Sequence, residues 1–251
     1  MSFEFKRGKL PPLLDTRTLM FAKYLKPQAP PLPRASADYY KAVPHWPMMG
    51  NDTLGDCTCA AAGHMIQNWT ANTGTAKVIP DHDIVKFYRI FSPMPHDKGA
   101  NMLTVLKTWR KAGLDKDKIN AFVKLNTGDE THAKQAVDLF GSCYIGVALP
   151  DSVVPPHTDL ATVPWVVPAG GAVGAGAPNP HNGHCIPAVG YDKDHLYVVT
   201  WGTLKSMSWD FYHAYADEAY GVLSTDWAKK SGGAAPSGFD FAALQNDLKG
   251  L

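Results

Sequence analysis

The apolar positions of this chain show helical spacing in its first half and strand-like runs in its second half. Apolar spacing and capping signals predict four helices, at residues 57–70, 84–91, 102–112 and 131–140. Runs rich in β-branched and aromatic residues predict strands at residues 143–149, 185–191, 195–201 and 218–224. Because helices come first and strands later, the pattern predicts an α+β fold with a helical half and a β half.

Proline and glycine divide the chain into regions. Three regions result: a Pro-rich N-terminal arm (1–36), a main domain (37–230, helical half about 37–140, β half about 141–230) and a Gly-rich linker with a short C-terminal helix (231–251). The arm is expected to lie extended over the surface of the domain. A second glycine-rich stretch, residues 169–183, predicts a mobile loop directly before His184.

Composition and charge limit the kinds of partner and the cellular location that the chain can be expected to have. With 251 residues, 45% of them hydrophobic, the chain is long enough for one large core or two closely packed halves. A net charge of +1 gives no reason to expect nucleic acid or an acidic membrane as a partner. The first residues are charged and no long apolar run is unbroken, so neither a signal peptide nor a membrane span is predicted. Four cysteines are too few for a disulfide scaffold, which favours a cytoplasmic protein of undetermined oligomeric state.

A cysteine and a histidine, 127 residues apart, carry the candidate chemistry. Cys57 opens the first predicted helix after the turn Gly55-Asp56, and Asp56 is expected to cap that helix. A helix N-terminus favours a thiolate, and His184, at the start of a strand, can supply the base from across a cleft. The alternative is an ordinary buried cysteine, and Cys59 becomes the candidate if the helix begins two residues later.

Two other histidines and a metal site are alternatives to the Cys57–His184 pair. His64 lies roughly 10 Å from Cys57 by helical rise, too far for direct proton transfer, whereas His181 is an alternative to His184. The Cys57-x-Cys59 spacing is unusual for zinc, so no metal and no cofactor are expected. The Gly-rich run 169–176 lacks the Lys-Ser/Thr ending of a phosphate loop.

Three further features place these residues in a wider pattern. Asn51 stands six residues before Cys57. The run His184-Cys-Ile-Pro-Ala-Val-Gly-Tyr191 opens a predicted strand, and Thr200 follows sixteen residues after the histidine, directly before Trp201-Gly202. This layout resembles the papain-like cysteine peptidases over roughly residues 37–225.

The resemblance implies a papain-like fold, in which a helical half packs on an antiparallel β half with the active-site cleft between them. It implies that Cys57 is the nucleophile, that His184 is the base, and that Thr200 stands where the family orients the histidine with Asn. Asn51 would help to hold the oxyanion. The resemblance also places four residues at the substrate cleft: Gly55, Asp56, Gly183 and Trp201.

Departures from the family pattern leave three functions open. Thr58 follows Cys57 where the family has Trp, and no helical propeptide precedes it, which indicates a divergent, bacterial-type member. The first function is a cysteine peptidase or amidase that acts on a peptide or protein through an acyl-enzyme. The second is a catalytically impaired fold that serves as a binding or structural module, which Thr200 motivates. The third is acyl transfer of the transglutaminase type.

Overall fold

An open six-stranded antiparallel sheet organises the molecule. The computed structural model describes residues 6–154, 160, 163–230 and 238–249, without the side chains of residues 229 and 230. The strand order is β1-β6-β2-β3-β4-β5, and every neighbouring pair is antiparallel. The strands are β1 (Ile119–Lys124), β2 (Cys143–Ala148), β3 (Gly183–Tyr191), β4 (His195–Thr200), β5 (Thr203–Ser208) and β6 (Ala216–Ser224).

The helices that the sequence predicts are present. They are α1 (Cys57–Thr73), α2 (Asp81–Tyr88), α3 (Met102–Ala112), α4 (Glu130–Phe140) and α7 (Phe241–Leu248), and the structure adds α5 (Trp209–Tyr215) and α6 (Thr225–Lys230). The α+β prediction is therefore confirmed. The two predicted halves interleave along the chain, however, because β1 lies in the helical half but pairs with β6. The predicted linker at 231–237 lies outside the described residues.

Helix α1 is the central helix of the fold. It is buried from Cys57 to Trp69, and its small side chains let it pack closely against β3. Two buried hydrogen bonds fix its far end: Asn68 Nδ2 donates to the Gly141 carbonyl at 2.8 Å, and Trp69 Nε1 donates to the Phe140 carbonyl at 2.7 Å. The beginning of α1 is therefore held in a fixed position against the sheet.

Apolar clusters cover both faces of the sheet. Strand β2 shows the division, since Tyr144 joins the cluster of helices α1–α3 while Cys143 and Ile145 join the cluster of α4 and α5. Successive side chains of a strand point to opposite faces, so the two clusters lie on opposite sides. No helix in the described ranges is long and apolar enough to cross a membrane.

The N-terminal arm lies along the domain and pairs with it at several points. Isolated bridges join Met20 to Lys124, Leu25 to Phe239 and Ala37 to Tyr191. Phe21 and Tyr24 of the arm are fully buried. The arm is therefore part of the packed structure as well as a surface segment.

Candidate active site

Cys57 is the first residue of α1 and is almost completely buried, with 1% of its surface exposed. The backbone amides of Cys185 and Gly8 lie against its thiol and favour the thiolate. Burial outweighs them and raises the pKa of Cys57 to about 12. In this arrangement Cys57 is a neutral thiol.

His184, the second residue of β3, is held by two neighbours. Its Nε2 lies 2.7 Å from Thr200 Oγ1, and its ring stacks on Trp201 with centroids 4.4 Å apart and planes at 19°. Its Nδ1 has no hydrogen-bond partner in the described part of the chain. Burial, assisted by the charge of Arg7, lowers the pKa of His184 to about 3, so the imidazole is neutral. With its proton on Nε2 donated to Thr200, Nδ1 keeps a free lone pair.

The residues beside His184 contact the surroundings of Cys57. The residue after His184 is Cys185, whose backbone amide lies against the Cys57 thiol. Lys6 also links Asn51, which precedes Cys57, to Trp201, which stacks on His184. Its amide donates to the Asn51 carbonyl at 3.3 Å, and its carbonyl accepts from Trp201 Nε1 at 3.0 Å.

Residues 6–10 of the N-terminal chain, here called the cleft segment, lie against Cys57 and against the neighbours of His184. The Ala100 amide donates to the Gly8 carbonyl at 2.8 Å, and the Leu10 amide donates to the Ala100 carbonyl at 3.0 Å, which forms a parallel bridge. Gly8 lies against Gly55 so closely that a Cβ on Gly8 would be 1.8 Å from the Gly55 carbonyl oxygen. The expectation that the whole arm lies on the surface is therefore wrong for this segment.

Among the residues expected at the substrate cleft, Gly183 and Trp201 hydrogen-bond to the cleft segment and Gly55 packs against it. The Gly183 carbonyl accepts a hydrogen bond from the Lys9 amide at 3.1 Å, and Trp201 binds the Lys6 carbonyl. Gly55 donates its amide to the Asp97 carboxylate at 3.0 Å. Asn51 is buried, and its Nδ2 donates to the Leu54 carbonyl at 3.1 Å, which uses one of its two N–H groups.

Asp56 precedes α1, but its side chain does not cap the helix as the sequence predicts. Its backbone carbonyl accepts from the amides of Cys59 and Ala60, while the carboxyl group turns toward Gly50. Neither carboxyl oxygen accepts a hydrogen bond of normal geometry among the residues described, and the Asn51 side chain beside the group only partly opposes the effect of burial on its pKa. Burial raises the pKa of Asp56 to about 8, so the group is mainly protonated at neutral pH.

Replacement of Asp56 by Asn should change how stability depends on pH. A carboxyl group whose pKa is higher in the folded state than in the unfolded state contributes to stability at low pH. The contribution is complete below the pKa of the unfolded state and is lost as pH rises through the folded-state value near 8. We expect the Asp56→Asn variant to gain stability relative to the wild type across this window, at a rate of up to about 1.4 kcal/mol per pH unit. Urea unfolding at several pH values measures the gain. Asp194→Asn, at an exposed acid, is the control, and a difference that does not vary with pH would contradict the prediction.

The other candidates from the sequence lie elsewhere. His64 Nε2 contacts the Pro47 carbonyl at 2.8 Å, Cys59 is buried, and His181 is exposed in the turn before β3. Within the ranges the structure describes, no group of three or more His, Cys, Asp or Glu side chains is placed to hold a metal ion.

Several residues around the site were not predicted. Trp165 packs beside the His184 and Trp201 rings, with centroids 6.3 Å and 6.2 Å away. Lys9 reaches Asp217 and Glu218 on β6. The sequence does contain a signal for that contact, since Asp217 and Glu218 are adjacent acids in a mainly apolar strand.

Comparisons with known proteins find similar folds among solved structures. No protein-family model matches the chain, and no curated protein sequence matches it. Among solved structures, xylellain, a cysteine protease from Xylella fastidiosa, has a TM-score of 0.67 at 15% identity over 88% of this chain and 97% of its own. The cysteine protease and lectin-like domains of Cwp84 from Clostridium difficile give 0.61 at 10% identity, over 89% and 57%. The Carica candamarcensis cysteine protease CMS1MS2 in complex with E-64 gives 0.55 at 14% identity, over 76% and 99%.

These likenesses cover most of the chain and share one architecture. The protein therefore has the papain-like cysteine protease fold, with helices packed on an open antiparallel sheet.

Proposed function

We propose that this chain is a thiol hydrolase, a cysteine peptidase or amidase, in which Cys57 and His184 form the catalytic pair. The observation that carries the proposal is the setting of His184. Thr200 holds Nε2 at 2.7 Å, Nδ1 is left without a partner among the described residues, and the next amide of the strand meets the Cys57 thiol. A thiol nucleophile requires this combination of an oriented base and a free nitrogen.

The chemistry follows from these positions. Nδ1 of His184 takes the proton of the Cys57 thiol, and the thiolate attacks a substrate amide or ester carbonyl. The backbone amide of Cys57 and the remaining N–H of Asn51 donate to the oxyanion. The imidazolium of His184 then protonates the leaving group, which leaves an acyl-enzyme. A water molecule, deprotonated by His184, releases the acid and restores the thiol.

The cleft segment is bound in an orientation that Cys57 does not cleave. The thiol faces the amide N–H of Gly8, whereas the Gly8 carbonyl accepts from the Ala100 amide. A thiolate attacks a carbonyl carbon, so an N–H presented to the sulfur offers it no reaction. The segment therefore covers the pair in a form that is not a substrate, and activity requires its displacement.

Thr200 should act by orienting His184. The isosteric variant Thr200→Val removes the oxygen that accepts from Nε2. In the Gly8→Ala background we expect it to lower turnover about 10- to 150-fold, since a hydrogen bond to a group that becomes charged contributes about 1.5–3 kcal/mol. Thr200→Ser keeps the hydroxyl and is the control. The measurement is kcat and KM for an amide substrate. Equal turnover in the Val and Ser variants would contradict the role.

An irreversible peptidyl epoxide tests the proposed nucleophile. The Gly8→Ala protein, in which the cleft segment is displaced, is treated with the epoxide, digested and mapped by mass spectrometry. We expect the label on Cys57, because the segment contacts its thiol and uncovers it on leaving, whereas burial still raises the pKa of Cys59, Cys143 and Cys185. Labelling of Cys59 or Cys143 in preference to Cys57 would overturn the assignment.

A binding or structural module is the second candidate function. The raised pKa of Cys57 and the occupied cleft favour it, since a neutral, covered thiol does no chemistry. The two functions separate when the cleft segment is displaced. In the hydrolase, Cys57 is then reactive as a thiolate well below pH 7, whereas in the module it titrates as an ordinary thiol near about 8.5.

A further inference from the structure

Lys9 of the cleft segment is buried in a pocket that ends in two carboxyl groups. Only 1% of its side chain is exposed. Its Nζ lies 2.7 Å from Asp217 Oδ2 and 3.5 Å from Glu218 Oε1. Glu218 is itself completely buried, and its Oε2 accepts a hydrogen bond from Tyr220 Oη at 2.9 Å. The pocket therefore binds an ammonium group away from water.

The pocket fits an unbranched side chain. Gly146 of β2 forms one wall, and a Cβ at that position would be 2.2 Å from Lys9 Cε and 2.7 Å from Met102 Sδ. The side chain thus passes between a bare backbone and a thioether before its Nζ meets the acids. Glycine at 146 provides the space that the lysine stem fills.

The pocket opens beside the reacting groups. Gly8, the residue before Lys9, places its amide against the Cys57 thiol. The Lys9 amide donates to Gly183, the residue before His184. A peptide bound in the cleft therefore has a side chain directed into this pocket within about one residue of the thiol.

The electrostatics select for a cation. When Lys9 leaves, the pocket holds two acids and no base of its own among the contacts described. Burial raises the pKa of Glu218, and the charge of Lys9 opposes that shift. An apolar side chain in the pocket leaves the buried Glu218 carboxyl and its partly exposed neighbour Asp217 unpaired, which is costly, whereas an ammonium group restores the ion pair.

We propose that this pocket, closed by Asp217 and Glu218, selects peptide substrates with a lysine-like basic side chain, and that Lys9 occupies it as a substitute for that side chain. The inference rests on the proposed hydrolase function, whose substrate class it specifies. The cleft segment and a substrate then compete for the same acids.

Binding without catalysis tests the pocket. The full chain carrying Gly8→Ala, Lys9→Ala and Cys57→Ala is titrated with two short peptides that differ only in lysine or norleucine, its uncharged counterpart. We expect the lysine peptide to bind at least about tenfold more tightly. Adding Asp217→Asn and Glu218→Gln should bring the two affinities together. Gly8→Ala with Cys57→Ala, which displaces the segment and keeps both acids, is the second background if Lys9→Ala does not fold.

The outcomes separate this inference from the proposed function. Equal affinity for the two peptides, or a preference that survives removal of both acids, overturns the pocket assignment. Turnover is measured separately in the Gly8→Ala, Lys9→Ala chain with Cys57 intact. Turnover of both peptides without a preference for lysine contradicts the pocket assignment and leaves the proposed hydrolase function standing. A lysine preference in binding with no turnover of either peptide supports the pocket and counts against the hydrolase.

Discussion

Replacement of Cys57 by alanine is expected to lower amide turnover by about 10⁴-fold or more, because it removes the atom that forms the acyl-enzyme. The measurement is kcat/KM for a lysine-containing peptide amide, made in the Gly8→Ala background so that the cleft is open. A loss of this size would show that the reaction requires the sulfur of Cys57, the first residue of α1.

Cys59 provides the matched control for this variant. It is also buried on α1, two residues farther along, with its sulfur 3.9 Å from Thr58 Oγ1. Cys59→Ala should keep most of the turnover, since its thiol has no part in the proposed reaction. Turnover that survives in Cys57→Ala, or that disappears in Cys59→Ala, would contradict the assignment.

The second large effect is activation by a single methyl group. Gly8→Ala places a Cβ 1.8 Å from the backbone oxygen of Gly55, which cannot be accommodated without moving the cleft segment. The Cys57 thiol then meets water, and exposure alone should lower its pKa from about 12 to the ordinary value near 8.5, below which the His184 imidazole lowers it further. The thiolate fraction at neutral pH rises by about three orders of magnitude, and lower intrinsic nucleophilicity offsets part of that, which leaves about a hundredfold gain in reactivity.

The rate of alkylation by iodoacetamide, followed at Cys57 by mass spectrometry, measures this activation. Gly170→Ala is the control, because a Cβ at Gly170 meets nothing within 4 Å. Far-ultraviolet circular dichroism checks that both variants fold. An unchanged alkylation rate in Gly8→Ala would show that the segment does not protect the thiol.

Much of the architecture follows from local sequence signals. Helix α1 begins at Cys57, where the Gly55-Asp56 turn predicts it, and β3 contains the whole run from His184 to Tyr191. The position of Thr200 behind the histidine ring also agrees with the expectation from the resemblance. These features depend on residues close together in the chain or on one motif, so the sequence alone indicates them.

Elements that depend on distant contacts were missed. Strand β5 is only partly buried and alternates weakly, since it lies at the edge of the sheet. The cleft segment has no local signal, because its position is fixed by backbone hydrogen bonds to Ala100 and Gly183, far away in the chain. Asp56 has the right residue type for a helix cap, but its carboxyl group packs toward Gly50 instead.

The pH profile of Cys57 alkylation, compared between Gly8→Ala and Gly8→Ala with His184→Ala, tests the central pairing most directly. If His184 shares a proton with Cys57, the first variant should stay reactive well below pH 7 as a thiolate–imidazolium pair. The second should react only as a lone thiol that titrates near about 8.5. Superimposable profiles would show that the imidazole does not act on the sulfur.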